Sequence, residues 1–156
     1  MQLSEFLSTD SVLPTVKAPN KRQLLQDLAN HAAKRTGLDA RRIFDVLLQR
    51  ERLLTTGLGQ GTAIPHGKFA DLGRVHGLFA KLVHPVDFKS VDEQPVDLVF
   101  LLLSPEAASG DHLMALARVS RLFRDPHIVA KLRGTDDAEG LYAILTEPAH
   151  SASHAA

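Results

Sequence analysis

Three places in the chain combine side chains and backbone types that can do chemistry. The first is residues 57–67, Gly-Leu-Gly-Gln-Gly-Thr-Ala-Ile-Pro-His-Gly. Glycines at alternate positions let backbone approach another group closely, and Pro65 holds Ile64 extended and stiffens the peptide just before His66. An imidazole in an ordered Pro-His-Gly turn is accessible yet held in place. Neutral histidine, with an ordinary pKa near 6.5, is a nucleophile at pH 7. Phosphoryl transfer suits such a group, because positioning supplies much of that catalysis. The second place is Ser109-Gly110-Asp111-His112. With Asp111 as N-cap, His112 falls in a first helical turn, where free N–H groups and the helix dipole favour an anion and a neutral imidazole. The third is Arg50 in Gln49-Arg50-Glu51-Arg52, at a helix end just ahead of the glycine run. A guanidinium fork matches phosphoryl oxygens. Plainer roles stay open for each: His66 as a loop histidine bonded to a carbonyl, His112 as an exposed first-turn residue, Arg50 as a complement to a helix C-terminus.

Competing motifs fit less well. Gly57, Gly59 and Gly61 lack the third glycine of a dinucleotide fingerprint, with Thr62 in its place, and the run follows a helix instead of a strand. Gly61 to Gly67-Lys68 has one residue too many for a Walker A loop, and Phe69 stands where a magnesium-binding Ser or Thr belongs. His31, His76, His84, His127, His150 and His154 form no metal-ligand spacing, so they are read as structural or solvent-exposed. A metal-dependent hydrolase built on His66 and His112 lacks a suitably spaced third ligand. A non-catalytic interaction domain is the other rival, and it would leave His66 unmodified.

The elements that must position these residues follow from periodicity. Residues 11–17 read as a strand, with Pro14 marking an edge. Asn20 with Gln23 resembles a capping box, before a helix on Leu24, Leu25, Leu28, Ala29 and Ala32 that Gly37 ends. Asp39 caps a second helix with the stripe Ile43, Phe44, Leu47 and Leu48. Residues 57–67 are irregular, and residues 78–83 and 96–103 are strands. The latter is apolar almost throughout, as a central strand covered on both faces requires. Residues 85–95 make a turn or short hairpin. A helix from His112 to about Arg124 buries Leu113, Leu116, Ala117, Ser120 and Phe123. Asp125-Pro126 opens a short helix closed by Gly134, and a last helix spans about residues 136–145. The fold class is α/β (α+β): a single domain whose mixed β-sheet carries helices on both faces. Residues 148–156 form a small, polar, flexible tail.

Composition narrows the partners. Eighteen basic and 18 acidic side chains give zero formal charge without a basic cluster, which argues against nucleic acid. The longest apolar run is too short for membrane insertion, and no secretory signal opens the chain. With no cysteine, disulfides and thiolate chemistry are excluded, in keeping with a cytoplasmic location.

Taken together, Arg50-Glu51, Thr56 through Gly67, and Asp111-His112-Leu113 with Ala115-Leu116-Ala117, downstream of Ser104-Pro105, resemble the IIA domain of the bacterial phosphoenolpyruvate-dependent phosphotransferase system. The branch is the fructose, mannitol and nitrogen-regulatory one, and the resemblance covers about residues 3–145. It implies that residues 1–147 form one IIA domain of mixed sheet and helices. It also implies that His66 is phosphorylated, that His112 hydrogen-bonds the phosphoryl group, and that Arg50 is the nearby positive charge. The implied donor is the histidine of an HPr-type phosphocarrier, with no metal or organic cofactor. Leu58 and Phe69 are candidates for the apolar rim on which the carrier docks. Thr62 departs from the isoleucine often found there, away from the chemistry. The opening Leu3-Ser4-Glu5-Phe6-Leu7 is similar to the free-standing nitrogen-regulatory type, whose members regulate partners such as potassium-transport components and sensor kinases. The alternative is a stand-alone sugar-specific IIA of the fructose or mannitol type that donates to a IIB on another chain.

Overall fold

The computed structural model describes residues 1–147; the expected tail, 148–156, lies outside the described residues. Its organising element is strand β6, Val96–Pro105. Strand β1 (Val12–Val16) lies at the sheet edge and pairs in parallel with β5 (His76–Val86), which runs antiparallel to β6. Three short strands, β2 (Gly57–Gly59), β3 (Thr62–Ala63) and β4 (His66–Phe69), occupy the other side of β6. The order is β1-β5-β6-β3-β2, and β4 pairs in parallel with β6 beyond β3.

Alternation along β6 divides the core. Val99, Leu101 and Leu103 pack with helices α1 (Lys21–Thr36) and α2 (Ala40–Leu53). Leu98, Phe100 and Leu102 pack with α3 (Ser109–Phe123), α4 (Pro126–Arg133) and α5 (Ala138–Thr146). Both faces are therefore apolar, which is why the strand reads as an unbroken hydrophobic run. The mixed sheet between two helical layers is the expected architecture.

Most helix starts obey their local signals. Asn20 accepts from the Gln23 N–H at 2.8 Å, Asp39 from Arg42 at 3.1 Å, and Asp125 from His127 at 2.9 Å with Pro126 behind it. Gly37, at φ 78°, closes α1 in the left-handed conformation glycine supplies cheaply. The capping box at α1 is half made, because the Gln23 side chain donates to Asp27.

Three expectations change. Residues 57–67 are mostly short strands, with β2 and β3 joined through Gln60 at φ 55°; strands of two to four residues leave no period to detect. Next, α3 begins at Ser109 with Ala108 as its N-cap, so Asp111 is a first-turn residue and not the cap. Its buried face is His112, Ala115, Val119, Leu122 and Phe123, while Leu113 is 66% exposed. An apolar-only template misplaces that face because a histidine holds one of its core positions. Finally, Phe69 is fully buried, so it cannot belong to a docking rim.

Helix α2 meets β4 across Gly67, where an added Cβ would lie 2.6 Å from Val46 Cγ1. Val46 is stiff at χ1, so the clash cannot be relieved by a rotamer change alone. Gly67→Ala is expected to cost about 1–3 kcal/mol in urea unfolding. A loss below about 0.5 kcal/mol would show that helix and strand are not packed this closely.

Candidate functional site

The three candidates come from three elements and meet at one end of the sheet. His66 opens β4, Arg50 lies in the last turn of α2, and His112 lies on the buried face of α3. Two neighbouring bonds fix the peptide ahead of His66. The Leu102 N–H donates to the Pro65 carbonyl at 3.0 Å, and the Ile64 N–H donates to the Thr56 carbonyl at 3.1 Å. Thr56 is itself held by Glu51, whose buried carboxylate accepts from the Thr56 N–H at 3.0 Å, from its hydroxyl, and from Lys21 at 3.1 Å.

The imidazole of His66 is bonded at both nitrogens. Nδ1 lies 2.7 Å from the Ile64 carbonyl oxygen. A carbonyl can only accept, so Nδ1 carries the proton and Nε2 presents a lone pair. Arg50 Nε donates to that Nε2 at 3.2 Å, and Arg50 Nη1 donates to the Leu54 carbonyl at 2.7 Å. An arginine cannot bond to a protonated Nε2, so its placement agrees with the same tautomer. The His112 ring stands 5.5 Å from the His66 ring, centroid to centroid, at 53°. Its Nδ1 lies 2.6 Å from Ser104 Oγ, and both residues are buried.

Both rings are held neutral. Burial lowers the pKa of His66 below 6.5, the Arg50 and Lys68 charges lower it further, and the Ile64 bond and Glu51 oppose them. His112 is lowered to about 4, first by burial and then by His66 and Lys68. The His112 backbone N–H donates to the Ala108 carbonyl at 3.1 Å.

Glu51, Thr56, Ser104 and Lys68 had no assigned role in the sequence. Lys68 follows His66 by two residues on β4, which places both on one side of the strand. That spacing becomes a signal only once residues 66–69 are known to be extended. Exposed Leu53 and Leu54, tied to the site through Arg50, and exposed Leu113 and Met114, beside His112, form apolar ground around it; exposed Leu58 lies in β2. Among the described residues, no group of three or more His, Asp or Glu could hold a metal ion, and no helix is long and apolar enough to cross a membrane.

Comparison with known proteins places the chain in a family. Residues 5–147 match the family model for the phosphoenolpyruvate-dependent sugar phosphotransferase system, EIIA 2. A nitrogen regulatory protein of Bradyrhizobium diazoefficiens is 51% identical over 153 residues, 98% of this chain and 100% of that protein. One from Klebsiella oxytoca is 38% identical, over 94% of this chain and 91% of its own length. The crystal structure of nitrogen regulatory protein IIA-Ntr from Neisseria meningitidis superposes with a TM-score of 0.88 at 35% identity, covering 92% of this chain and 99% of that one. The chain belongs to the EIIA 2 family and is a component of the phosphotransferase type.

The depressed pKa of His112 makes folding depend on pH in a defined direction. Above 6.5 the ring is neutral in both states and the term vanishes. As pH falls from 6.5 toward 4, the unfolded chain binds a proton that the folded chain refuses, so stability is lost. His112→Gln is expected to flatten part of this fall in urea midpoints between pH 7.5 and 5. An unchanged profile would mean His112 titrates normally.

Proposed function

We propose that this protein accepts a phosphoryl group on Nε2 of His66 from the phosphohistidine of an HPr-type carrier, and acts in the nitrogen-regulatory branch of the phosphotransferase system. The observation that carries the proposal is the pair of bonds on the His66 ring. The Ile64 carbonyl accepts a hydrogen bond from Nδ1–H, and Arg50 lies against the one nitrogen left with a lone pair. Residues 1–147 serve as the IIA domain, in the cytoplasm.

The transfer is an in-line displacement. The Nε2 lone pair forms the new N–P bond while the electrons of the old N–P bond return to the carrier's imidazole. The Nδ1 proton stays on His66, and the Ile64 carbonyl supports the positive charge that develops on the ring. Arg50 Nε, freed from Nε2, turns to a phosphoryl oxygen, and Lys68 and His112 add positive charge and a hydrogen bond. The carrier docks on the apolar ground of Leu53, Leu54, Leu58, Leu113 and Met114. The transferred group then recruits or repels regulated proteins, such as potassium-transport components or sensor kinases, through its charge. The nitrogen-regulatory names of relatives 51%, 38% and 35% identical to this chain favour this branch over a sugar-specific role with a separate IIB.

Intact-mass spectrometry with phosphoenolpyruvate, enzyme I and an HPr-type carrier is expected to give one acid-labile phosphoryl group, absent in His66→Ala. Normal acceptance by His66→Ala would refute the site. Arg50→Ala is expected to slow acceptance about 100-fold, the typical effect of losing one donor to developing charge. The acceptance rate should hold as pH is lowered to 6.5 and fall only below it, because the neutral nucleophile persists beneath the ordinary histidine pKa. A midpoint above 6.5 would contradict a buried, arginine-flanked His66.

A further inference from the structure

We infer that Ser104 is a positioning residue whose hydroxyl holds His112 in the tautomer with its proton on Nε2, so that His112 faces His66 as a hydrogen-bond donor. The role rests on His66 as the phosphoryl acceptor, while the tautomer itself does not.

Ser104 lies near the end of β6, opposite Lys68 of β4, and is fully buried. Among the described residues its side chain makes one hydrogen bond, to His112 Nδ1 at 2.6 Å. Two arrangements fit that distance. In one, Nδ1–H donates to Oγ. The hydroxyl hydrogen then has no acceptor in a buried place, and Nε2 turns a lone pair toward the acceptor ring. In the other, the hydroxyl donates to Nδ1, its single donor meets the single acceptor within reach, and Nε2 carries the proton. Leaving a buried donor unpaired is costly, so the second arrangement is the stable one.

The choice has a chemical consequence. A neutral imidazole has one proton, and its location decides whether the nitrogen not bonded to Ser104 attracts or repels a phosphoryl oxygen. With Nε2–H, His112 supplies a hydrogen bond to the dianion without a formal positive charge. With Nδ1–H, Nε2 would present a lone pair and repel that oxygen. Ser104 thus does for His112 what the Ile64 carbonyl does for His66, with the opposite result. Ile64 accepts a proton bond and leaves its histidine a nucleophile; Ser104 donates one and leaves its histidine a donor.

Two-bond 1H–15N correlation spectra of the full chain at pH 7, before any phosphorylation, read the tautomers directly. Expected are Nδ1–H at His66 and Nε2–H at His112. An Nδ1–H signal at His112 overturns the inference. Ser104→Ala should give mixed tautomers at His112 and shorten the lifetime of phosphorylated protein roughly threefold to tenfold, the scale of one weakened hydrogen bond. Ser104→Thr, which keeps the hydroxyl, should restore both. In a His112→Ala background, Ser104→Ala should shorten the lifetime no further. An unchanged tautomer in Ser104→Ala, or an equal loss of lifetime without His112, overturns the assignment. A protein that shows Nε2–H at His112 but gains no phosphoryl mass supports the Ser104 tautomer and overturns only the acceptor reading.

Discussion

The carbonyl oxygen of Ile64, 2.7 Å from Nδ1 of His66, is the contact on which the site depends. It decides which nitrogen is protonated and which keeps a lone pair. That oxygen stays in place because the peptide around it is bonded on both sides. The Ile64 N–H reaches Thr56, Pro65 reaches β6, and Thr56 is gripped by the buried carboxylate of Glu51. Burying a carboxylate is expensive unless it is paired and hydrogen-bonded, and Lys21 and Thr56 meet that condition. Glu51 therefore acts three contacts away from chemistry it never touches. The adjacent Arg50 donates to Nε2 of His66 itself, so one turn of α2 both supports the loop and sets a charge beside the imidazole.

The electrostatics follow from the same arrangement. The proposed transfer makes two demands, standing positive charge for an incoming dianion and a His66 ring that stays neutral. Arg50 and Lys68 satisfy both demands, because their fields lower the pKa of the neighbouring imidazoles while remaining available to phosphoryl oxygens. Burial of His112 works in the same direction. Neutrality of the two rings is thus a product of packing and of nearby cations.

The surface around the site is as informative as its interior. Leu113 and Met114 lie on the exposed side of α3 because the buried side begins with His112. Spending a core position on a histidine turns two apolar residues outward beside it. Leu53 and Leu54 are exposed where α2 ends, with the Leu54 carbonyl bonded to Arg50. The apolar ground and the polar centre are therefore consequences of one helix phase and one helix end.

The sequence alone determined the fold class, the strand covered on both faces, most of the helix caps, and the three residues that converge. These rest on local causes: β6 is apolar because both its faces are buried, and Asn20, Asp39 and Asp125 cap because their side chains reach N–H groups two or three residues on. Tertiary structure decided what depends on partners distant in the chain. Residues 66–69 become a strand only through β6, more than thirty positions away, and the two-residue spacing of His66 and Lys68 has no meaning before then. The phase of α3 required knowing that Ser104 awaits His112 inside the core. The burial of Phe69 and the bond between His112 and Ser104 follow from contacts between elements, which no local pattern encodes, whereas the Nδ1 proton of His66 is set from only two residues away, at Ile64.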